Sequence, residues 1–417
     1  MFLTQTNVIR HLSKEQYDML REMCRYSNNL YNYGLYCVRQ HYFDTKTFLP
    51  YESNYHVCKE NENYKMLQAG VSQQILRVVD RSFKSFFNLI KKAKGGDYRF
   101  QDIKLPHYRK KGDMFVLVIQ KNAMAISNGF FKVPMSNEFR KSHSVKEILI
   151  PFPERLNDKE MKEIRILPCH NGAFFKVQYV YEQPVEESNL DVSKMLGIDL
   201  GVDNLATCVP TNGTPFIMDG RKLKSINHCW NQKKARLQSV ADKQGRKGGQ
   251  TKRINAITDK RNKQINDQIK KTARYIINYC KDNDIGTIVV GYNAEFKLSP
   301  SMGRRNNQTF VQIPLGNLRS AISYLCERYG ICYVEQEESY TSKSSYIDGD
   351  TIPIYKPEQP YLGTFSGKRI YRGLYKSATS ITINADVNGA LNILRKANGG
   401  TLPCKGFLAN PKRIRLA

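Results

Sequence analysis

The sequence lacks the short cysteine and histidine motifs that mark the commonest zinc and redox sites. Its ten cysteines are widely spaced and include no C-x-x-C pair, so neither a zinc ribbon nor a redox dithiol is indicated. The seven histidines form no H-E-x-x-H pattern, which argues against a histidine-based zinc site. We therefore expect reduced, mostly buried thiols and no zinc.

Long apolar segments are also missing. No run approaches the roughly 20 apolar residues that a membrane-spanning helix needs. The first ten residues have no apolar core of the kind found in a signal peptide. We expect a cytoplasmic protein without a membrane partner.

Acidic residues are few compared with basic ones. Lys and Arg total 65 against 38 Asp and Glu, which gives a formal charge of +27. This excess indicates a polyanionic partner, because each phosphate contact releases condensed counterions. Residues 221–274 hold 17 Lys and Arg and three Asp, a net +14, and residues 244–249 (QGRKGG) divide them into two basic helices. We predict a helical hairpin that lines a nucleic-acid groove.

The first part of the chain predicts helices followed by short strands. One helix is predicted over 13–43, where Ser13 and Gln16 have the spacing of a capping box. A second is predicted over 72–94. Asn-Gly pairs at 128–129 and 171–172 are typical of hairpin turns. A small β-barrel or sandwich fits the predicted strands, which span 114–120, 130–133, 163–167 and 174–181.

The second part of the chain predicts an α/β domain after a polar linker over 185–194. Three strands (195–201, 205–210 and 215–218) form a meander. They are followed by a strand, a helix and a strand, which implies a parallel pair with a right-handed crossover. Together these elements match the strand order of ribonuclease H-like domains. The later elements are predicted at 287–290, 313–329 and 331–334, with a final helix after Asp386.

Three acidic residues stand at strand or helix edges of this domain. Asp199 lies in LGIDLG (196–201), Glu338 in EESYTS (337–342) and Asp386 in NADVN (384–388). Separated carboxylates that converge in space are typical ligands of hard divalent metals such as Mg²⁺. In a strongly cationic protein, we expect such metals to act on a phosphodiester.

The predicted chemistry is hydrolysis with two Mg (or Mn) ions. Asp199 would bridge both ions, and Asp386 and Glu338 would each complete one side. Gly197 and Gly201 share one strand face with Asp199, so we expect them to leave space for a metal and a substrate backbone. No Ser/His/Asp arrangement suggests a covalent nucleophile.

At these residues the chain resembles the TnpB family, transposon-encoded RNA-guided nucleases with a RuvC-type domain and relatives of type V CRISPR effectors. The matching text is GIDLGVDNLAT (197–207), YTSK (340–343) and NADVNGALNI (384–393). The resemblance implies a multidomain α+β chain. Its parts are a wedge-like β-barrel domain (1–12 and 98–184), an inserted helical recognition segment (13–97), the linker (185–194), a ribonuclease H-like RuvC nuclease (195–398) with a basic helical hairpin (221–283) and an insert (342–382), and a basic tail (399–417).

The same resemblance implies a guide RNA that selects double-stranded target DNA by base pairing, while the protein recognises the heteroduplex shape and a short flanking motif. It also implies a monomer with RNA in a prokaryotic-type cell, near the nucleoid when bound to DNA. Candidate nucleic-acid contacts are Arg109, Lys110, Lys111, Lys233, Lys234, Arg246, Lys247, Lys252, Arg253, Lys368 and Arg369.

Two features depart from the family pattern. Gly291 stands where the family usually carries its second acid, and Glu295, Glu337 and Glu338 are the candidates to replace it. We favour Glu338, because a strand end beside the strand of Asp199 can deliver a carboxylate to the same metals. The insert 342–382 contains no cysteine, although relatives often hold a zinc module there. It is either a metal-free flap that lines the substrate channel or a structural loop.

Three other functions remain open from the sequence. A nuclease-dead, RNA-guided DNA-binding regulator would keep the fold without the chemistry. A RuvC-like resolvase or a strand-joining transposase would use similar carboxylates. A type V CRISPR effector would differ mainly in having a CRISPR array nearby.

Overall fold

The structure is a computed structural model that describes residues 1–245, 251–293, 312–355, 361–371, 373–400 and 404–416. The chain divides into two compact units, Met1–Pro184 and Val185–Ala417. Both units combine helices and strands, so the prediction of a multidomain α+β protein is confirmed.

Helices dominate the first unit up to residue 94. The first helix begins at the predicted cap, where the Ser13 hydroxyl accepts a hydrogen bond from the Gln16 amide and the Gln16 side chain accepts one from the Ser13 amide. Its apolar stripe and that of the fourth helix are buried in one core with Leu35, Ile75 and Phe83. The helices are α1 (Lys14–Thr45), α2 (Tyr51–Cys58), α3 (Glu62–Lys65), α4 (Ala69–Lys94) and α5 (Asn137–Lys141).

Seven strands of the first unit form two antiparallel sheets. Asn128 and Gly129 turn the chain between two of them at φ of 50° and 75°, and Asn171 and Gly172 do the same at 54° and 70°, so both predicted hairpin turns are confirmed. The orders are β1-β7-β6-β2 and β3-β4-β5, and the finer assignment of a wedge-like barrel stays a prediction. The strands are β1 (Phe2–Val8), β2 (Leu117–Gln120), β3 (Ala125–Ser127), β4 (Phe130–Lys132), β5 (Leu149–Pro151), β6 (Met161–Cys169) and β7 (Phe174–Glu182).

A six-stranded sheet organises the second unit, in the order β12-β11-β8-β9-β10-β16. β8, β9 and β10 are antiparallel neighbours, and β11 runs parallel to both β8 and β12. The predicted meander and parallel pair are therefore confirmed. The six strands are β8 (Asp191–Leu200), β9 (Asn204–Pro210), β10 (Phe216–Asp219), β11 (Ile285–Tyr292), β12 (Cys332–Glu337) and β16 (Lys412–Ile414).

The two faces of this sheet are covered by different helices. Leu196 and Ile198 pack in a core with α7 (Lys252–Asp282) and α8 (Leu315–Arg328). On the opposite face, Val209 and Val289 pack against α9 (Ala385–Ala397). A further helix, α6 (Arg221–Lys243), precedes α7 and completes the predicted hairpin.

The insert 342–382 contributes a small antiparallel sheet that the sequence did not predict. Its strands are β13 (Lys368–Tyr371), β14 (Leu374–Lys376) and β15 (Thr382–Asn384), and β15 leads directly into α9. Among the residues that the structure describes, none of the helices is both long and apolar enough to cross a membrane.

Candidate active site

The three acidic residues predicted from the sequence line one cavity of about 590 Å³ in the second unit. Asp199 is near the end of β8, Glu338 directly follows β12, and Asp386 lies in the first turn of α9. β8, β11 and β12 run parallel, so the carboxyl ends of β8 and β12 meet at the same sheet edge. The fold thus brings together side chains that are far apart in the sequence.

Asp199 is held where a negative charge is costly. Burial raises the pKa of its carboxyl well above the usual value, and the charges of Glu338 and Asp386 raise it further, while Arg369 opposes the shift. The three carboxylates therefore repel one another across the cavity. A divalent cation between them would relieve this repulsion.

Glu338 also lies in an unfavourable place for its charge. Burial raises the pKa of Glu338 to about 7, the charge of Glu337 adds to the effect, and Arg319 opposes it. Space for this carboxylate comes from Gly291, since a Cβ built on that residue would lie 2.6 Å from Glu338 Oε2 and 2.6 Å from Ile393 Cδ1. Gly291 is thus the residue that makes room for Glu338.

The neighbouring glutamate is directed elsewhere. Lys396 on α9 forms an ion pair with Glu337 Oε2, and the Ser339 amide donates to Glu337 Oε1 at 2.6 Å. Burial would raise the pKa of Glu337, but these two hydrogen bonds outweigh it and lower the pKa. Glu337 is also absent from the residues that line the cavity, which favours Glu338 as the third acid. The other candidate, Glu295, lies outside the described residues.

Both oxygens of Asp386 have hydrogen-bond donors. Arg369 Nη2 donates to Oδ1 at 3.0 Å, and Asn204 Nδ2 donates to Oδ2 at 2.6 Å. The Asn384 side chain accepts from the amides of Asp386 and Val387 and so caps α9. Arg369, predicted as a nucleic-acid contact, therefore lines the cavity as the counter-ion of Asp386.

The expected role of two strand glycines is wrong. A Cβ at Gly197 would lie 2.5 Å from Leu394 Cγ and 2.8 Å from the Ala390 carbonyl oxygen, and one at Gly201 would lie 2.7 Å from the Asn204 carbonyl oxygen. These glycines allow α9 and the start of β9 to approach β8 and do not leave open space. The glycine that borders the carboxylate is Gly389, whose Cβ would lie 2.9 Å from Asp199 Oδ2.

A polar stripe on α9 was missed in the sequence. Asn388 Nδ2 donates to the Ser344 carbonyl oxygen at 2.8 Å, and Asn392 Nδ2 donates to the carbonyl oxygens of Thr341 and Ser344 at 2.9 and 2.7 Å. Both asparagines are buried. They fix the segment that follows Glu338. Their signal was the four-residue spacing of Asn384, Asn388, Asn392 and Lys396, which places all four on one helix face.

The donor set fits a hard divalent cation such as Mg²⁺, because three carboxylates line one cavity and the charges of Glu338 and Asp386 act on the half-buried Asp199. Arg369 donates to Asp386, and among the described residues no three His, Cys, Asp or Glu side chains form a group that could hold a metal ion as they stand.

The other predicted nucleic-acid contacts differ in their surroundings. The Arg109 guanidinium is used internally: Nε donates to Asn28 Oδ1 at 2.9 Å, Nη2 donates to the Met114 carbonyl oxygen at 3.3 Å, and the group lies over the Phe115 ring. Arg246 and Lys247 lie outside the described residues. Lys234 is half-buried, and the exposed members of the set are Lys110, Lys111, Lys233, Lys252, Arg253 and Lys368.

Comparison with known proteins gives two family matches. A model described as "Probable transposase" (OrfB_IS605) matches residues 178–297, and a model of the Cas12f1-like TNB domain matches residues 316–393. The chain is TnpB-like and Cas12f1-like. The resemblance to TnpB proteins expected from the sequence is thereby confirmed.

Two curated proteins extend this similarity to most of the chain. "TnpB-like protein ORF457" of Acidianus two-tailed virus is 22% identical over 422 residues, covering 95% of this chain and 87% of that protein. "CRISPR-associated endodeoxyribonuclease Cas12f1" of Sulfoacidibacillus thermotolerans is 23% identical over 365 residues, covering 81% of this chain and 79% of that protein.

Solved structures show the same fold. A Cas12f1-sgRNA-target DNA complex matches with a TM-score of 0.58 at 16% identity, covering 91% of this chain and 83% of that chain. The mini-RNA-guided endonuclease CRISPR-Cas_phi3 matches with a TM-score of 0.54 at 10% identity, covering 97% of this chain and 93% of that chain.

Proposed function

We propose that this chain is an RNA-guided DNA endonuclease that cuts target DNA by metal-dependent phosphodiester hydrolysis. The observation that carries the proposal is the convergence of Asp199, Glu338 and Asp386 on one cavity in a chain with a charge of +27. The relatives support it, since one is named an endodeoxyribonuclease and a similar structure is a complex with sgRNA and target DNA.

The second unit would be the nuclease, a ribonuclease H-like domain of RuvC type. The β8–β9–β10 meander with β11 and β12 on the other side of β8 supports this assignment. Asp199, Glu338 and Asp386 would hold Mg²⁺ or Mn²⁺, which when bound activates water and stabilises the departing oxygen. Asp199 is half-buried in the cavity wall, and its carboxylate would contribute negative charge to the metal site. Arg369 lines the same cavity, where its guanidinium can donate to a phosphate oxygen of the substrate.

The guide RNA would select the target by base pairing, and the protein would recognise the shape of the heteroduplex and a short flanking motif. The cationic α6–α7 hairpin would contact phosphates, and the insert would act as a flap along the substrate channel. We place the protein in the cytoplasm of a prokaryotic-type cell, as a monomer with its RNA. The match to the Cas12f1-like model also supports the alternative of a type V CRISPR effector.

The test begins with the RNA that copurifies with the full-length protein. Sequencing this RNA defines a guide, and matched and mismatched double-stranded DNA are then incubated with the complex in Mg²⁺ or in EDTA. We expect cutting of matched DNA in Mg²⁺ alone. Binding of matched DNA without cutting would instead identify a nuclease-dead regulator, and joined product ends would identify a transposase.

A substitution at Gly291 should impair both folding and cleavage. The new methyl group of Gly291→Ala would meet Glu338 Oε2 and Ile393 Cδ1, so we expect a loss of about 1–3 kcal/mol in the free energy of unfolding. Since the Glu338 carboxylate must move away, cleavage of matched DNA should fall more than stability alone explains. Urea denaturation and the cleavage rate of the folded fraction measure the two effects.

Gly316→Ala is the matched control. Gly316 lies in α8, and a Cβ there would meet nothing within 4 Å. The change should leave cleavage intact and stabilise the protein by up to about 1 kcal/mol, the difference in helix propensity between Ala and Gly. If both variants have the same stability and the same cleavage rate, Gly291 does not provide the space for Glu338.

A further inference from the structure

The α6–α7 hairpin contains a cavity of about 250 Å³ that the nuclease site does not use. Ile226 and Trp230 of α6 and Ile257 of α7 form its walls, while Lys233, Lys260 and Gln264 stand around it. We call this the Trp230 pocket. At roughly 30 Å³ per water molecule, its volume corresponds to about eight waters, which is enough space for a single planar base.

The pocket exists because the hairpin is incompletely packed. Over its 23 residues, α6 buries only Leu223, Asn227 and Ala241 among its described side chains. Trp230, one turn after Asn227, is only half-buried although it lies between the two helices. Part of an aromatic surface is therefore left accessible inside a strongly basic element, beside Lys234, whose Nζ lies 5.0 Å from the ring centroid.

The indole is held in a fixed orientation. Trp230 Nε1 donates to Thr258 Oγ1 at 3.1 Å, and the Arg261 guanidinium carbon lies 5.2 Å from the ring centroid. Arg261 is itself fixed, because it donates to Asn227 Oδ1 at 2.8 Å and to the Gln312 carbonyl oxygen at 2.9 Å. A wall that is already ordered loses little conformational entropy when a ligand binds.

The surrounding groups suit a nucleotide. Lys233 and Lys260 are exposed, and neither lies within ion-pair distance of a carboxylate of the described chain. Their ammonium groups can contact phosphate, Trp230 can stack on a base, and the Gln264 amide can hydrogen-bond a base edge. The residues combine an aromatic surface with unpaired cations, which is the chemistry of single-strand binding.

We propose that the Trp230 pocket binds one unpaired nucleotide of single-stranded nucleic acid; this rests on the proposed function. A base inside a duplex has both faces stacked and its pairing edge occupied, so it reaches Trp230 only when it is extruded or single-stranded. The pocket thus contacts an unpaired position of the guide or of a displaced DNA strand. Paired segments are bound elsewhere.

Trp230 is the single tryptophan of the chain, so intrinsic fluorescence reports on this pocket directly. Full-length protein freed of nucleic acid is titrated with single-stranded RNA, single-stranded DNA and a blunt duplex of the same sequence, with binding followed in parallel by anisotropy of a labelled strand. We expect strong quenching by a bound single strand and unchanged emission with a bound duplex. Stronger quenching by RNA or by DNA shows which of the two nucleic acids supplies the bound nucleotide. A bound single strand without quenching, or a duplex that quenches equally, overturns the proposal.

Variants that keep the fluorophore test the phosphate contacts. Lys233→Gln combined with Lys260→Gln should weaken single-strand binding by about 10-fold and make the slope of log K against log salt shallower by about 1.4, or 0.7 per contact. The control is Lys263→Gln combined with Lys270→Gln, which removes the same charge from exposed lysines of α7 outside the pocket. This control should change the affinity for a single strand much less than the first double variant does. Equal losses of affinity in the two double variants would contradict the proposed pocket.

Two further measurements separate the role of the indole from folding and from cleavage. Trp230→Phe should retain most of the single-strand affinity, and Trp230→Leu should lose about 10-fold of it by anisotropy, because only an aromatic ring stacks on a base. In the Asp199→Asn variant, a bound single strand should quench the Trp230 fluorescence as strongly as it does in the unmodified protein. If the unmodified protein shows this quenching but cuts no guide-matched DNA, the pocket stands and the proposed nuclease function is refuted.

Discussion

Asp199→Asn should abolish cutting of guide-matched DNA and at the same time stabilise the metal-free protein. Asparagine keeps the size of the side chain but removes the charge that a divalent cation needs. A loss of several kcal/mol of transition-state stabilisation corresponds to about 10³-fold or more in rate. RNA binding should be unaffected, because the hairpin and the first unit do not change.

The stability gain follows from the raised pKa of Asp199. The folded protein binds the proton more tightly than the unfolded chain, so the ionised carboxylate destabilises the fold as pH rises through the interval between the ordinary and the raised pKa. Asparagine should therefore raise the melting temperature in EDTA at pH 8, and by less at acidic pH. Mg²⁺ should stabilise the unmodified protein and lose this effect in the variant.

Asp203→Asn is the matched control within the same cavity. Asp203 also lines the cavity but forms an ion pair with Lys224. Its replacement should leave cleavage within about tenfold, because the charge of Asp203 is already taken up by Lys224. If Asp199→Asn still cuts DNA while Asp203→Asn does not, the centre of the site has been assigned to the wrong aspartate.

Local patterns were sufficient to predict two of the three carboxylates. The alternation in residues 196–201 placed Asp199 on the face opposite Leu196 and Ile198, as observed. The final helix was predicted directly after Asp386, and α9 begins at Ala385 with Asp386 in its first turn. Both features depend only on residues that are close together in the sequence, so they can be predicted from the sequence alone.

The third carboxylate needed contacts between remote segments. Glu337 and Glu338 are adjacent, and only the ion pair between Glu337 and Lys396, together with the space at Gly291, distinguishes them. The same limit explains the differences in the fold. β8 starts at Asp191, inside the predicted linker, because Asp191 pairs with Ile285. β16, in the predicted tail, forms because it pairs with β10.

The adjacent glutamates should respond in opposite ways to the same substitution. Glu338→Gln should stop cleavage and stabilise the metal-free protein, whereas Glu337→Gln should retain cleavage and destabilise it. The reason is the opposite direction of their pKa shifts, upward to about 7 for Glu338 and downward for Glu337.

For Glu338 the folded-state pKa lies above the ordinary value of 4.5, so the carboxylate lowers stability as pH rises from 4.5 to about 7 and the loss is complete above that. At about 1.4 kcal/mol per pKa unit, glutamine should therefore stabilise the protein by about 3 kcal/mol at pH 8 in EDTA, and by almost nothing at pH 4.5.

For Glu337 the sign is reversed. Its lowered pKa adds stability above pH 4.5, and this stability is lost as pH falls through the lowered value. Its side chain is 42% exposed, so solvent weakens the ion pair, and glutamine should cost only about 0.5–1 kcal/mol at pH 8.

Urea denaturation of both variants at pH 4.5 and pH 8 in EDTA measures the two signs, and cleavage of matched DNA in Mg²⁺ measures the roles. Each variant is the control of the other, because the substitution is the same and the positions are adjacent. Loss of cleavage in Glu337→Gln together with stabilisation at pH 8 would assign the third carboxylate to Glu337. In the arrangement described above, that carboxylate is held by Lys396 and does not line the cavity.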